Sequence, residues 1–269
     1  MTGKDVPALE EAAGGIPQGT RINITFLAGE DPGMRLAAAR AVKRLGFVPV
    51  PHISARRLPS RAHLEEFLAG LAADGTGENV FVVGGDPARP EGPYEDALAV
   101  IRTGLLQHHG VRHIGISGYP EGHPAIADRA LWSALTDKTA ALGAERLSGD
   151  VITQFGFDVD PVLTWLEAAR ARGVRLPVRI GVPGPAGVRR LLGYATRFGV
   201  ASSASVARKY GFSLTNLMGT TGPDRFLHAL ARGYDPARHG VVKVHFYTFG
   251  GLRATSEWIT TFRQGHAQA

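Results

Sequence analysis

The sequence alternates between two kinds of segment, and this alternation limits the possible fold more than any other feature. Short runs rich in β-branched and aromatic residues recur along the chain, and stretches with helical spacing of apolar residues separate most of them. Strands that alternate with helices form βαβ units around a parallel sheet, whose central strands are continuously apolar. The pattern therefore predicts an α/β fold. The predicted strands are residues 21–28, 47–53, 79–85, 111–117, 150–157, 177–183 and 241–249.

The number of strands bears on the choice between two architectures. Seven strands are clear, and a closed (β/α)8 barrel needs eight. The remaining strand is expected either as a short N-terminal strand near Lys4–Ala8 or within residues 198–203. An open doubly wound sheet is the alternative, but no G-x-G-x-x-G motif follows the first strand. We therefore predict a single (β/α)8 TIM-type barrel domain over residues 1–269, with a short or degenerate first strand.

The composition of the chain argues against several kinds of site and partner. The chain contains no cysteine, which removes disulfides and thiolate metal sites and fits a reducing compartment. Because the N-terminal residues lack the apolar segment of a signal peptide and no run reaches transmembrane length, we expect a cytoplasmic protein without a membrane partner. The net charge is +6, and the arginines are spread along helical segments. They do not form a basic block with interleaved aromatic residues. This distribution suits an anionic small molecule, and we expect no nucleic-acid partner.

Polar side chains collect near the predicted carboxyl ends of six strands, where the active site of a barrel lies. Each one has an ordinary structural explanation, such as a threonine within a strand or an aspartate that begins a turn. Their convergence on six strands is harder to explain in that way and indicates one shared binding site. The residues are Thr25, His52, Gly84, Gly85, Asp86, Tyr119, Glu121, His123, Gln154, His245 and Tyr247.

This set of residues contains neither an obvious nucleophile nor a metal site. It lacks the three-ligand cluster of histidine and carboxylate that a catalytic metal needs. The sequence also contains no G-x-S-x-G elbow and no P-loop. We therefore predict no metal and expect a bound organic cofactor to supply the chemistry.

Four motifs occur in order at these strand ends: GGDPARP, GYPEGHP, ITQFGFD and HFYTF. Together they resemble methylenetetrahydrofolate reductase, a family of (β/α)8-barrel flavoenzymes of one-carbon metabolism, and the similarity runs from about Arg21 to Trp258. The resemblance implies an oxidoreductase that interconverts 5,10-methylenetetrahydrofolate and 5-methyltetrahydrofolate through bound FAD and NAD(P)H. It also implies a homo-oligomer.

The resemblance assigns roles to individual residues. Asp86 is the implied catalytic residue near the flavin ring or the folate, and Glu121 is expected to orient its loop. Gln154 and Tyr247 are the implied substrate-binding residues, at a site that folate and nicotinamide occupy in turn. Lys138 would place an ammonium at the FAD diphosphate, with an exposed helix lysine as the plain alternative. The implied FAD contacts are Thr25, His52, Gly85, Asp86, Tyr119, His123 and Lys138.

The sequence also departs from the family pattern, as in a divergent, actinobacterial-like branch. The family's N-terminal glutamate, the general acid that opens the methylene bridge, has no counterpart before Asp5. Gly84 stands where the family has an arginine, and Asp137 would bring negative charge next to a diphosphate. Two alternatives therefore stay open. One is a flavin-independent variant with direct hydride transfer between NADH and folate, and the other is a non-catalytic folate- or flavin-binding barrel.

Overall fold

The computed structural model describes residues 1–197 and 220–266. Within these residues, seven strands form one sheet in the order of the chain: β1 Arg21–Ile24, β2 Val48–Ser54, β3 Asn79–Val83, β4 His113–Gly118, β5 Ser148–Phe155, β6 Val178–Pro183 and β7 Val242–Tyr247. A doubly wound sheet departs from chain order at its switch point. Parallel strands in strict chain order, with helices between them, are instead the topology of a (β/α)8 barrel. The predicted fold class is confirmed.

Among the described residues, one helix precedes the first strand and the other helices follow strands along the chain. They are α1 Val6–Ala12, α2 Pro32–Arg44, α3 Arg61–Ala73, α4 Ala97–Ile101, α5 Leu105–His108, α6 Asp128–Ala144, α7 Val159–Ala171, α8 Val188–Arg197, α9 Asp224–Gly233, α10 Pro236–His239 and α11 Leu252–His266. Side-chain oxygens of Asp31, Ser60 and Asp158 accept backbone N–H groups in the first turns of α2, α3 and α7. Each cap fixes the point where a loop after a strand gives way to a helix.

The N-terminal segment does not form the strand expected near Lys4–Ala8. A 3-10 turn at Gly3–Asp5 leads directly into α1, so that expectation is wrong. Met1, two residues before this turn, lies next to β1, where its amine donates to the Asn23 carbonyl at 2.9 Å and its carbonyl accepts from the Thr25 N–H at 2.8 Å. The alternative strand position, residues 198–203, lies outside the described part of the chain.

The chain divides into two compact units. The first comprises Met1–Ser117 and Asp137–Asp150, and the second comprises Gly118–Thr136 and Val151–Ala269. In the first unit, α2 packs against β1 and β2 around buried aliphatic side chains that include Ile24, Ile53 and Val82. In the second unit, β6 pairs with β7 and α7 contributes Val162 and Leu166 to the core. The assignment of one domain to the whole chain stays a prediction.

An ionic cluster around the buried carboxylate of Asp150 lies at the amino ends of β1, β4 and β5 in the first unit. The Asp150 carboxylate accepts from Arg21 Nη1 at 3.0 Å and lies 3.2 Å from His113 Nε2. The Ser148 hydroxyl lies 3.0 Å from the other nitrogen of the His113 ring. In barrels of this kind the amino ends of the strands serve stability, while the carboxyl ends carry the chemistry. Among the described helices, none is both long and apolar enough to cross a membrane.

Candidate functional site

Thr25 and His52 occupy the ends of two paired strands in the first unit. Thr25 directly follows β1, and His52 lies two residues before the end of β2. The His52 ring is fixed by its neighbours, because Nε2 lies 3.0 Å from Asn23 Nδ2 and the ring centre lies 4.8 Å from that of Phe81. Since an amide nitrogen can only donate, His52 Nε2 acts as the acceptor in this contact.

A buried arginine supports the same end of β2. The Arg35 guanidinium lies 3.8 Å from the centre of the Phe26 ring and 4.2 Å from that of Phe67, and Nη1 donates to the His52 carbonyl at 3.3 Å. Burial lowers the pKa of Arg35 to about 10, and nearby carboxylates act in the opposite direction. Helical spacing alone does not indicate that this cation faces the strands.

Gly85 and Asp86 form the turn after β3. Gly85 has φ of +97°, and a Cβ atom there would lie 2.1 Å from the Ser54 hydroxyl oxygen, so the turn requires glycine. The Asp86 side chain is 92% exposed, and its carboxylate lies 3.5 Å from Arg57 Nη2. Arg57 is absent from the predicted set, although the two arginines directly after a predicted strand were a visible signal.

Lys138 is buried, which contradicts the alternative of an exposed helix lysine. Only 6% of the residue is exposed, and Nζ donates to the Ser117 hydroxyl, at the end of β4, over 3.4 Å. No carboxylate of the described residues forms an ion pair with it. Burial lowers the pKa of Lys138 to about 8, with the charge of Asp96 acting in the opposite direction. Asp137 is exposed, so the two neighbouring residues occupy different faces of α6.

The loop after β4 carries Tyr119, Glu121 and His123 in the second unit. The rings of Tyr119 and His123 meet edge to face with centres 5.4 Å apart, and His123 Nδ1 accepts from the Ala125 N–H at 3.2 Å. One carboxylate oxygen of Glu121 is buried, and a Cβ atom at Gly156 would lie 2.7 Å from it. The loop therefore turns a carboxylate toward the end of β5, where glycine leaves room for it.

Gln154 and Tyr247 lie near the ends of β5 and β7 in the same unit. Gln154 Oε1 accepts from the Phe155 N–H at 3.2 Å, which leaves the amide N–H groups as donors. The Tyr247 hydroxyl donates to the Thr153 carbonyl at 3.0 Å. Burial raises the pKa of Tyr247, and Tyr119 adds to this effect. Tyr247 therefore stays neutral, and its hydroxyl oxygen can still accept a hydrogen bond.

An aromatic cluster adjoins these two residues, and the sequence motifs did not single it out. Phe155 lies 5.3 Å from Tyr247 and 4.9 Å from Phe249 between ring centres. Phe249 stacks on Tyr194 of α8 with centres 4.0 Å apart and planes at 16°. Such a cluster offers flat apolar surface to a planar heterocycle. The signal was present in HFYTF, where aromatic residues recur at the end of β7.

The predicted residues thus gather at strand ends within each unit. Tyr119, His123, Gln154 and Tyr247 belong to the second unit, and Thr25, His52, Gly85, Asp86 and Lys138 belong to the first. The family model for methylenetetrahydrofolate reductase matches residues 12–196, more than half of the chain. The chain belongs to the methylenetetrahydrofolate reductase family. The family resemblance is confirmed, and three of its motifs, GGDPARP, GYPEGHP and ITQFGFD, lie within the matched residues, whereas HFYTF lies beyond them.

Individual members of the methylenetetrahydrofolate reductase family are distant. The chain is 28% identical over 175 residues to methylenetetrahydrofolate reductase 2 of Saccharomyces cerevisiae, covering 60% of this chain and 28% of that protein. It is 26% identical over 110 residues to methylenetetrahydrofolate reductase 1 of Schizosaccharomyces pombe, covering 39% of this chain and 18% of that protein. The matched part therefore spans less than a third of the length of either relative.

Solved structures support the fold. The chain is similar to the dihydropteroate synthase of Thermus thermophilus with a TM-score of 0.50 and 18% identity, over 97% of this chain and 88% of that one. At this identity the similarity concerns the fold alone.

Proposed function

We propose that this protein is a methylenetetrahydrofolate reductase-like oxidoreductase with FAD as cofactor and NAD(P)H as co-substrate. It would interconvert 5,10-methylenetetrahydrofolate and 5-methyltetrahydrofolate. Membership of the family supports the reaction class. The single observation that carries the cofactor assignment is the buried ammonium of Lys138, which has a hydroxyl partner but no carboxylate partner among the described residues.

An anionic cofactor fits this environment. A diphosphate accepts hydrogen bonds from an ammonium and would compensate its charge where water is excluded. Thr25, His52 and Gly85 belong to the same unit as Lys138 and would hold other parts of FAD there. A role of Tyr119 and His123 in binding FAD stays a prediction of the family resemblance. FAD, when bound, supplies the hydride-transfer chemistry. Since Asp137 is exposed, its charge is a weaker objection to a diphosphate than the sequence suggested.

The remaining residues of the proposed site would orient the exchanging substrates. The pyrimidine ring of tetrahydrofolate and the nicotinamide ring are both flat and carry amide or amine groups. The amide N–H groups of Gln154 and the hydroxyl oxygen of Tyr247 would bind those polar groups, and the cluster around Phe249 would contact the ring faces. Asp86 would supply the negative charge that balances positive charge on folate. A homo-oligomeric state and a cytoplasmic location stay predictions.

The visible absorption spectrum of the purified protein is the first test. We expect a flavin band after incubation with FAD that stays with the protein through gel filtration. Lys138→Gln should weaken FAD retention by about ten-fold or more, because it removes a charge-assisted hydrogen bond from a buried site. Lys243→Gln is the matched control, since Lys243 is an exposed lysine at the amino end of β7.

An activity assay then separates the alternatives. NAD(P)H-dependent reduction of 5,10-methylenetetrahydrofolate that requires FAD supports the proposal. Turnover by a colourless protein without added flavin would contradict the cofactor assignment and favour direct hydride transfer. Folate binding without turnover under either condition would instead identify a non-catalytic barrel.

A further inference from the structure

Arg57, which none of the sequence motifs singles out, links the loops after two strands of the first unit. It ends the 3-10 turn Ala55–Arg57 that follows β2, and its guanidinium reaches the loop after β3. Nη2 lies 3.5 Å from Asp86 Oδ2, and Nη1 lies 4.0 Å from Glu91 Oε1. The Arg57 side chain is 16% exposed, whereas that of Asp86 is 92% exposed. A mostly buried cation therefore contacts a carboxylate that projects into solvent.

The backbone of this region is held without the Arg57 side chain. The Arg56 N–H donates to the Gly84 carbonyl at 2.8 Å, and the Glu91 N–H donates to the Arg56 carbonyl at 2.8 Å. The Arg56 guanidinium also donates to two further carbonyls of the loop after β3. Loss of the Arg57 guanidinium is therefore expected to leave both loops in place.

The ion pair is not explained by its effect on stability. Pairs in which one partner is exposed contribute little to folding, because water solvates the carboxylate almost as well when the pair is broken. Bound folate would exclude that water from Asp86, and the pair would then hold the direction of the carboxylate more strongly than it does in the free protein. The consequence of the pair is therefore expected in binding and reaction.

We propose that Arg57 is a positioning residue for Asp86, an inference that rests on the proposed function. The guanidinium holds one carboxylate oxygen, so that the other faces the bound folate in a fixed direction. Asp86 then meets positive charge on the folate ring without reorganisation during hydride transfer.

Steady-state kinetics of the FAD-loaded enzyme test this role. Arg57→Gln should lower kcat/KM for 5,10-methylenetetrahydrofolate by about ten-fold through misdirection of Asp86. The KM for NAD(P)H should stay within about two-fold of wild type, since Asp86 acts on the folate step. Arg57→Lys should retain an intermediate rate, because it keeps the charge but loses the planar fork. Glu91→Gln is the matched control, which removes the other carboxylate from Arg57 and should leave kcat/KM within about two-fold.

A double-mutant cycle separates positioning from a structural role. In an Asp86→Asn background, Arg57→Gln should have almost no further effect on kcat/KM, because the carboxylate that it positions is gone. An Arg57→Gln effect of the same size in both backgrounds would overturn the inference. A large fall in the unfolding temperature of Arg57→Gln would overturn it too, since the guanidinium would then serve the fold.

The two proposals fail in different ways. A wild-type protein without folate turnover contradicts the proposed function, and the role of Arg57 in that reaction falls with it. An active wild-type protein whose Arg57→Gln variant keeps full kcat/KM overturns the positioning role alone.

Discussion

Lys138 keeps its amine inside the first unit near the end of β4, without a carboxylate partner among the described residues. An ammonium in such surroundings is less stable than in water, and the pKa of about 8 reflects that cost. Groups with pKa values perturbed in this way occur preferentially at functional sites. At the scale of the residue, this cost supports the proposal that Lys138 binds an anionic cofactor.

Lys138→Met is expected to stabilise the cofactor-free protein near neutral pH. Between about pH 8 and the ordinary lysine value of 10.5, the unfolded chain binds more protons than the folded one. The stability of the wild type therefore rises with pH through this range. Below about pH 8, the cost of burying the charged amine is fully present. The shift in the pKa of Lys138 corresponds to about 3 kcal/mol. Lys138→Met should therefore be more stable than the wild type by this amount at pH 7, and most of the difference should disappear by pH 10.

Urea unfolding at pH 7 and pH 10 measures this difference. Lys243→Met serves as the control, because it makes the same substitution at an exposed lysine. A Lys138→Met variant whose stability relative to wild type is the same at both pH values would show that the amine carries no burial cost.

At the scale of the element, the end of β3 depends on the close approach of the turn at Gly85 to β2. The turn has φ of +97° at Gly85, and the Ser54 hydroxyl occupies the space that a side chain would need. Among the described residues, the buried Ser54 oxygen has no hydrogen-bond partner. The approach of these two residues therefore decides where Asp86 is presented.

Gly85→Ala is expected to destabilise the protein by about 1–3 kcal/mol, because it combines an unfavourable φ with a steric clash. It should also lower folate turnover, since Asp86 follows directly. Adding Ser54→Ala should recover part of the stability, because it removes the clash but not the backbone strain. Chemical denaturation of the single and double variants measures both terms, and equal stability of the two would refute the close approach.

At the scale of the whole molecule, the two ends of the strands carry different kinds of residue, with the predicted site residues at one end and a stabilising ionic cluster at the other. The predicted site residues of the strands and their loops lie near or beyond carboxyl ends, while Asp150, Arg21 and His113 meet at amino ends. Such a division lets one end change its chemistry while the other maintains the fold. Variants at the ionic cluster should therefore affect folding and spare catalysis.

Asp150→Asn is expected to lower the free energy of unfolding by about 2 kcal/mol. The loss should be smaller than for a fully buried pair, because the Arg21 side chain is 31% exposed and keeps part of its hydration. Glu10→Gln, which breaks the exposed pair with Arg44, should cost less than about 1 kcal/mol. Urea unfolding measures both, and reduced turnover of fully folded Asp150→Asn would contradict the division.

The strand expected near the N-terminus is wrong because it rests on the strand count of a complete barrel. No local signal in the sequence supports it. The local signals pointed to helix, since the Thr2 and Asp5 side chains form a capping box and Pro7 lies in the first turn of α1. Local capping chemistry decided the conformation of this segment.

The sequence alone was sufficient for the seven strand positions, the α/β class and the family. These follow from signals confined to short segments, namely continuous apolar runs, helical spacing and motifs at strand ends. The observed strands overlap all of the predicted ones, with differences at their ends.

Tertiary structure decided which side chains are buried and which are paired. The ion pair of Arg57 and Asp86 joins residues 29 apart in the chain, and the burial of Lys138 depends on how α6 packs beside β4. The sequence pattern does not show which side chains meet or become buried, because the helix propensity of a lysine is similar on either face of a helix. The chemistry of the candidate site therefore depends on long-range packing, whereas its strand positions were already encoded locally.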